Sequence, residues 1–137
     1  MLKLYYSPGA CAMASHIALE EAGADYEIVK IDLRARQQKT PEYLAINPAG
    51  VTPALATEQG VLTENAATLT FVAQTHPEAK LADTSSAFAF ARMLAFNSFL
   101  GASLHPAVGR ALFAKPPLES EAKEAALEAA LVKYRLV

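Results

Sequence analysis

The sequence predicts an α+β fold, a small sheet flanked by helices, followed by a segment that is helical throughout. Three observations carry this prediction. Residues 1–33 read strand, helix, strand; residues 53–75 read strand, strand, helix; and beyond a polar, proline-bounded stretch at 77–86 only helical patterning remains. A chain of 137 residues suits one domain, or a small domain with part of another, and the pattern places the two segments at 1–78 and 86–137.

Each element has a local reason. Residues 2–6 (LKLYY) form a β-rich run closed by Ser7-Pro8-Gly9. Residues 10–22 are helix-forming, and Gly23 stands where a helix C-terminus favours glycine. Residues 26–33 (YEIVKIDL) read as a second strand, so the first 33 residues make a βαβ unit with parallel strands. A basic loop follows, RARQQK at 34–39, then a short helix at 41–46. Asn47-Pro48-Ala49-Gly50 is turn chemistry. Residues 53–56 and 61–63 form an antiparallel hairpin, and residues 65–75 a helix ended by His76-Pro77. In the last segment, helices at 87–104 and 118–136 are separated by Lys115-Pro116-Pro117. The first of these two is apolar nearly all round, which predicts burial between other elements.

The totals narrow the function classes. Twelve basic and fourteen acidic residues give a net charge of −2, against nucleic acid as the main partner. The single cysteine makes no internal disulfide and is poor material for a metal site, so a reducing, cytoplasmic setting is expected and no metal. No secretory h-region is visible at the start, and the apolar window 88–104 is interrupted by Arg92, Asn97 and Ser98, which argues against a membrane span.

Three short stretches carry chemistry. Cys11, in the first turn of the first predicted helix, sits where unpaired N–H groups and the helix dipole favour an anion. It reads either as a reactive sulfur or as a small buried core residue. In INPAGVTPAL (46–55), Pro53 opens a strand. If the Thr52–Pro53 bond is cis, the Thr52 N–H and C=O are free to pair with a peptide-like ligand; a simple trans strand-opening proline is the alternative. In TEN (63–65), the helix start suits a carboxylate and Glu64 suits an ammonium group, or else Thr63 or Asn65 is only a cap. His105 precedes Pro106 and so lies near a helix end or kink.

Together, YYSPGAC with SHIALEEAG, then NPAGVTPAL, then LTEN ahead of a helix resemble the glutathione S-transferases, and in particular the bacterial beta class, which carries a cysteine at this place. The resemblance is densest over residues 1–75. It implies a thioredoxin-like N-terminal domain with a mixed four-stranded sheet and βαβ–ββα order, followed by an all-α C-terminal domain. Relatives are longer, so the helical domain is expected to be incomplete here. Leu127, Leu131 and Tyr134 would then lose apolar partners.

The resemblance also implies a glutathione site. Pro53 is expected to be cis, and the Thr52 backbone to pair with the cysteinyl part of glutathione. Glu64 and Asn65 correspond to the pair that holds the γ-glutamyl end; Asn65 departs from the usual residue, though its backbone N–H still suits a carboxylate. Arg36 corresponds to a basic position for the glycyl carboxylate. Cys11 and His105 are implied as catalytic, both near the glutathione sulfur. His16 is implied to be structural or near a subunit contact.

The implied activity is conjugation of glutathione, as co-substrate, to electrophilic small molecules in detoxification, by a homodimer without nucleic-acid or membrane partners. Two competitors stand beside it. One is a thiol–disulfide reductase using Cys11 through a mixed disulfide; no second cysteine allows a dithiol route. The other is a non-catalytic glutathione-transferase-like binding or interaction module.

Overall fold

The computed structural model describes residues 1–114 and 116–134. Lys115 of the predicted separator and residues 135–136 of the last predicted helix lie outside the described residues. The chain divides into two compact units, Met1–Ser85 and Ser86–Val137.

The first unit is built on a four-stranded sheet. Strand β1 (Leu2–Tyr6) pairs in parallel with β2 (Tyr26–Lys30), through helix α1 (Met13–Glu21). Strands β3 (Ala54–Thr57) and β4 (Gly60–Thr63) form an antiparallel hairpin, and β3 pairs antiparallel with β1. The strand order is β2-β1-β3-β4. A four-residue helix, α2 (Pro41–Leu44), precedes the hairpin and α3 (Asn65–Thr75) follows it.

Alternation along β1 decides what packs where. Leu4 is fully buried and joins Ala18 and Leu19 of α1, Leu55 of β3 and Val72 of α3 in the core. Its neighbour Tyr5 turns the other way, and its ring meets Tyr43 of α2 edge-on, with centroids 6.0 Å apart. Helices α1 and α3 thus cover one face of the sheet and α2 lies on the other. Each fully buried Leu or Val of this core contributes about 1.5–3 kcal/mol.

Two boundaries in this unit differ from the sequence reading by three residues. Strand β2 stops at Lys30 rather than residue 33 because the Asp32 carboxylate accepts from the N–H groups of Arg34 (2.9 Å) and Ala35 (3.0 Å), turning the chain out of the sheet. Helix α1 begins at Met13, not at residue 10. The N–H of Met13 bonds to the Ala10 carbonyl and that of Ala14 to the Cys11 carbonyl, both at 3.1 Å, so residues 10–12 form tight turns ahead of the helix. Cys11 is therefore just outside the helix it was expected to open. The C-terminus of α1 follows expectation: Gly23 has φ +60°, its N–H bonds to the Glu20 carbonyl, and that of Ala24 bonds to the Leu19 carbonyl. These two bonds form a Schellman cap.

In the second unit, α4 (Ala87–Phe99) is capped by Ser86, whose hydroxyl accepts from the Ala89 N–H at 3.1 Å. It does not end at Leu104. A π-helical turn, Leu100–Leu104, leads into α5 (His105–Phe113), giving one helix over Ala87–Phe113. The N–H of His105 bonds to the Leu100 carbonyl, five residues back. The widened turn precedes Pro106, which has no N–H and whose ring conflicts with the carbonyl four residues back in a regular α-helix. Helix α6 (Ser120–Tyr134) starts two residues later than predicted and packs on α5, burying Ala111 and Ala130.

The expected burial of the apolar helix is not observed. No residue of α4 is buried, and Phe88, Phe96, Leu112 and Phe113 are exposed, as are Leu131 and Tyr134 of α6. Among the described residues of this unit the buried ones, Ala111 and Ala130, are small, and the large apolar side chains of the helix are exposed or only half-buried. Because the helix runs through Phe113, it is 27 residues long with a mean hydropathy of 1.3 in its most apolar window, enough to cross a membrane by length and composition. The shorter window at 88–104 did not suggest this.

Candidate functional site

Three segments converge at one end of the sheet in the first unit. They are the turn before α1, the loop before β3, and the start of α3.

Cys11 is half-buried, and its Sγ donates to the Thr52 carbonyl at 3.6 Å. The N–H groups of Met13 and Ala14 bond to carbonyls of the preceding turns and so are not free to face the sulfur. In this turn the N–H groups of Cys11 and Ala12 have no protein acceptor among the described residues.

The loop before β3 is held from beneath. Asn47, 1% exposed, donates through Nδ2 to the Val51 carbonyl at 2.8 Å, and its Oδ1 accepts from the Ala49 N–H at 3.1 Å. The Tyr43 hydroxyl donates to the same Val51 carbonyl at 2.7 Å. Two donors on one carbonyl fix the peptide that leads into Thr52. The Thr52–Pro53 bond is cis. Among the described residues the Thr52 N–H has no acceptor, and its carbonyl meets only the Cys11 sulfur.

At the start of α3, Glu64 is the N-cap with φ +69° and ψ 129°, a conformation that a non-glycine residue adopts at a cost of order 1–3 kcal/mol. Its side chain makes no cap bond and is exposed, so the carboxylate is open to solvent. Neither Thr63 nor Asn65 caps the helix. The Asn65 and Ala66 N–H groups belong to the first turn and lack intrahelical acceptors. The Asn65 side chain, by contrast, is committed within the protein: Nδ2 donates to the Cys11 carbonyl at 2.9 Å and Oδ1 accepts from the Ser15 hydroxyl at 2.7 Å.

Arg36 has φ +58° and an exposed side chain with no ion pair among the described residues. His105 belongs to the second unit, where it is the exposed first residue of α5. His16 sits between Tyr6 and Tyr26, with ring centroids at 5.4 and 5.9 Å, and its Nε2 is 3.6 Å from Glu20. The Tyr26 hydroxyl also donates to Glu20, and burial first, then that bond, push this phenol up to about 12.

The structure therefore brings Cys11, Thr52, Pro53 and Asn65 together. Sequence reading missed Ser15, Thr68, Tyr43 and Asn47 as supports. A polar residue in the alanine-rich run of α1 was the available signal for Ser15; Asn47 was read only as a turn former.

A cis-proline loop beside a half-buried cysteine, on a β2-β1-β3-β4 sheet with α1 and α3 on one face, defines a thioredoxin-like domain with a thiol site. Comparison with known proteins narrows this further. Residues 1–74 match the family model of the glutathione S-transferase N-terminal domain. Glutathione S-transferase GST-4.5 of Xanthomonas campestris pv. campestris is 40% identical over 105 residues, covering 77% of this chain and 50% of that protein. A sphingomonad glutathione S-transferase complexed with glutathione superposes with a TM-score of 0.78 at 42% identity, covering 96% of this chain and 65% of that one. The bacterial beta-class enzyme of Sphingomonas chungbukensis superposes with a TM-score of 0.77 at 39% identity, covering 96% and 65%. The chain belongs to the glutathione S-transferase family and is similar to its bacterial beta-class members. It spans about half the length of the curated relatives it matches.

Proposed function

We propose that this chain binds glutathione and serves a cytoplasmic, homodimeric glutathione transferase that conjugates the tripeptide to electrophilic small molecules in detoxification. The observation that carries the reading is the Thr52 backbone after a fixed peptide, its N–H unpaired and its carbonyl 3.6 Å from a half-buried cysteine sulfur. An extended peptide can pair with the Thr52 N–H and C=O as a short added strand. Its γ-glutamyl carboxylate faces the N–H groups of Asn65 and Ala66, where the helix dipole favours negative charge, and its ammonium group faces Glu64. The glycyl carboxylate meets Arg36.

The chemical step is nucleophilic. The bound thiol loses its proton to solvent, its sulfur forms a bond to the electrophilic carbon, and the leaving group departs with the bonding electrons. Lowering a thiol pKa from about 9 toward 7 raises the reactive fraction at neutral pH about a hundredfold, equivalent to about 2.7 kcal/mol. Cys11 takes part by turning its S–H from the Thr52 carbonyl toward the incoming sulfur. The names of the relatives support conjugation over disulfide reduction.

Retention on immobilised glutathione tests the binding role. Turnover of an aryl halide with glutathione, compared with Cys11→Ala and His105→Ala, tests the chemistry. Loss of turnover in both variants with retention preserved is the expected result. A parent chain that is not retained overturns the binding assignments, and a Cys11→Ala variant as active as the parent removes Cys11 from the mechanism.

A further inference from the structure

Between α1 and α3 lies a closed polar network that the proposed reaction does not itself use. Ser15 and Thr68 are 1% and 0% exposed, in the middle of an otherwise apolar helix contact. Their hydroxyl oxygens are 2.6 Å apart. Ser15 Oγ lies 2.7 Å from Asn65 Oδ1, Thr68 Oγ1 lies 3.1 Å from the Asn65 carbonyl, and Asn65 Nδ2 lies 2.9 Å from the Cys11 carbonyl.

Donor counting fixes the direction of these bonds. The Cys11 carbonyl only accepts, so the amide nitrogen of Asn65 must face it and the amide oxygen must face Ser15. Ser15 then spends its single hydrogen on Asn65. The Thr68 hydrogen is shared between Ser15 Oγ and the Asn65 carbonyl. Hydrogen bonds therefore run from Thr68 through Ser15 and Asn65 to the backbone of Cys11, spanning 54 residues of sequence between the last two.

We propose that Asn65 is a positioning residue for Cys11: its side chain, oriented by Ser15 and Thr68, holds the turn that carries the sulfur beside Thr52. This rests on the proposed function only for the reactive role of Cys11. It separates two duties of one residue. The backbone N–H of Asn65 remains available to a ligand carboxylate, while its side chain is a brace. The brace matters because Cys11 lies outside α1. Helical hydrogen bonding does not hold its backbone N–H, and the Asn65 amide is the one side chain bonded to its carbonyl among the described residues.

The test is alkylation of Cys11 by iodoacetamide, read as the plateau rate at high pH, where access rather than ionisation limits the reaction. It needs no glutathione, so a chain that fails to bind glutathione leaves the test intact. Asn65→Ala removes both arms of the brace. Asn65→Asp keeps an acceptor for Ser15, removes the donor to Cys11 and sets a carboxylate oxygen against its carbonyl. Both variants are expected to raise the plateau rate about three- to tenfold, the change that loss of one hydrogen bond makes in a local opening equilibrium. Ser15→Ala should raise it less, because Nδ2 still reaches the Cys11 carbonyl. An Asn65→Asp rate equal to the parent's, whatever Asn65→Ala does, overturns the proposal and leaves Asn65 as a helix–helix tie alone. Far-UV circular dichroism on each variant separates local release of the turn from global unfolding.

Discussion

The loop that presents Thr52 rests on one doubly bonded carbonyl, and this makes a sharp prediction about coupling. Asn47 and Tyr43 both donate to the Val51 carbonyl, at 2.8 and 2.7 Å, and Asn47 also accepts from the Ala49 N–H. Tyr43→Phe removes one donor, keeps the ring against Tyr5, and leaves the carbonyl bonded to Asn47. That costs about 1 kcal/mol, the net value of one hydrogen bond. Asn47→Ala removes two bonds and strands the Ala49 N–H, which raises the cost to about 2–3 kcal/mol. Only the double variant leaves the Val51 carbonyl without either donor, so its cost should exceed the sum of the singles by about 1 kcal/mol. Urea unfolding followed by far-UV circular dichroism, with m-values compared across the four proteins, measures all three quantities. Additivity within about 0.5 kcal/mol refutes the reasoning, because it would mean the carbonyl has no need of a second donor.

Further predictions concern backbone space and ionisation. Gly50 has φ +60°, and a Cβ there would lie 2.9 Å from the Gln38 carbonyl oxygen and 2.7 Å from Lys39 Nζ. The lysine can move and the carbonyl cannot, so Gly50→Ala should cost about 1–3 kcal/mol in urea unfolding, and Lys39→Ala should not rescue it. The Tyr26 phenol, pushed up to about 12, lies above its unfolded value, so its contribution to stability is complete below pH ~10 and is lost as pH rises toward 12. Glu20→Ala should lower its midpoint in an ultraviolet absorbance titration while leaving it above the ordinary tyrosine value, since burial is the larger cause. The N–H of Ala35 is the largest influence on the Asp32 carboxyl; burial opposes it, and the N–H of Arg34 with the charges of Lys30 and Arg34 then holds the group below the ordinary aspartate range. Its contribution is present above the unfolded value and is lost as pH falls through the folded one. The amide resonances of Arg34 and Ala35 should titrate together at that lower midpoint, and Asp32→Asn should abolish the transition.

The parts of this protein legible without coordinates are those whose causes are local. The β-rich run LKLYY, the glycine that closes α1, and the eleven residues of α3 each stand on neighbouring side chains and backbone preferences. The resemblance to the glutathione S-transferases likewise brought Cys11, Thr52 and Asn65 forward as one group. Local reasoning failed where a distant or competing partner intervened. It placed Cys11 inside the helix because helix-forming residues begin at Ala10, but backbone bonds from Met13 and Ala14 close turns there first. It buried the apolar helix on composition, whereas burial depends on what packs against it.

Amino-acid order alone thus determined the succession of strands and helices and the three stretches that carry chemistry, because propensity, alternation and capping act within a few residues. Folding in three dimensions decided which groups are already spoken for. It bonded the Asn65 amide to Cys11 and Ser15, hung the Val51 carbonyl from Asn47 and Tyr43, and left the Thr52 N–H unpaired. Donors and acceptors are shared across tens of residues only after the chain has closed on itself, so that accounting has no signature in sequence.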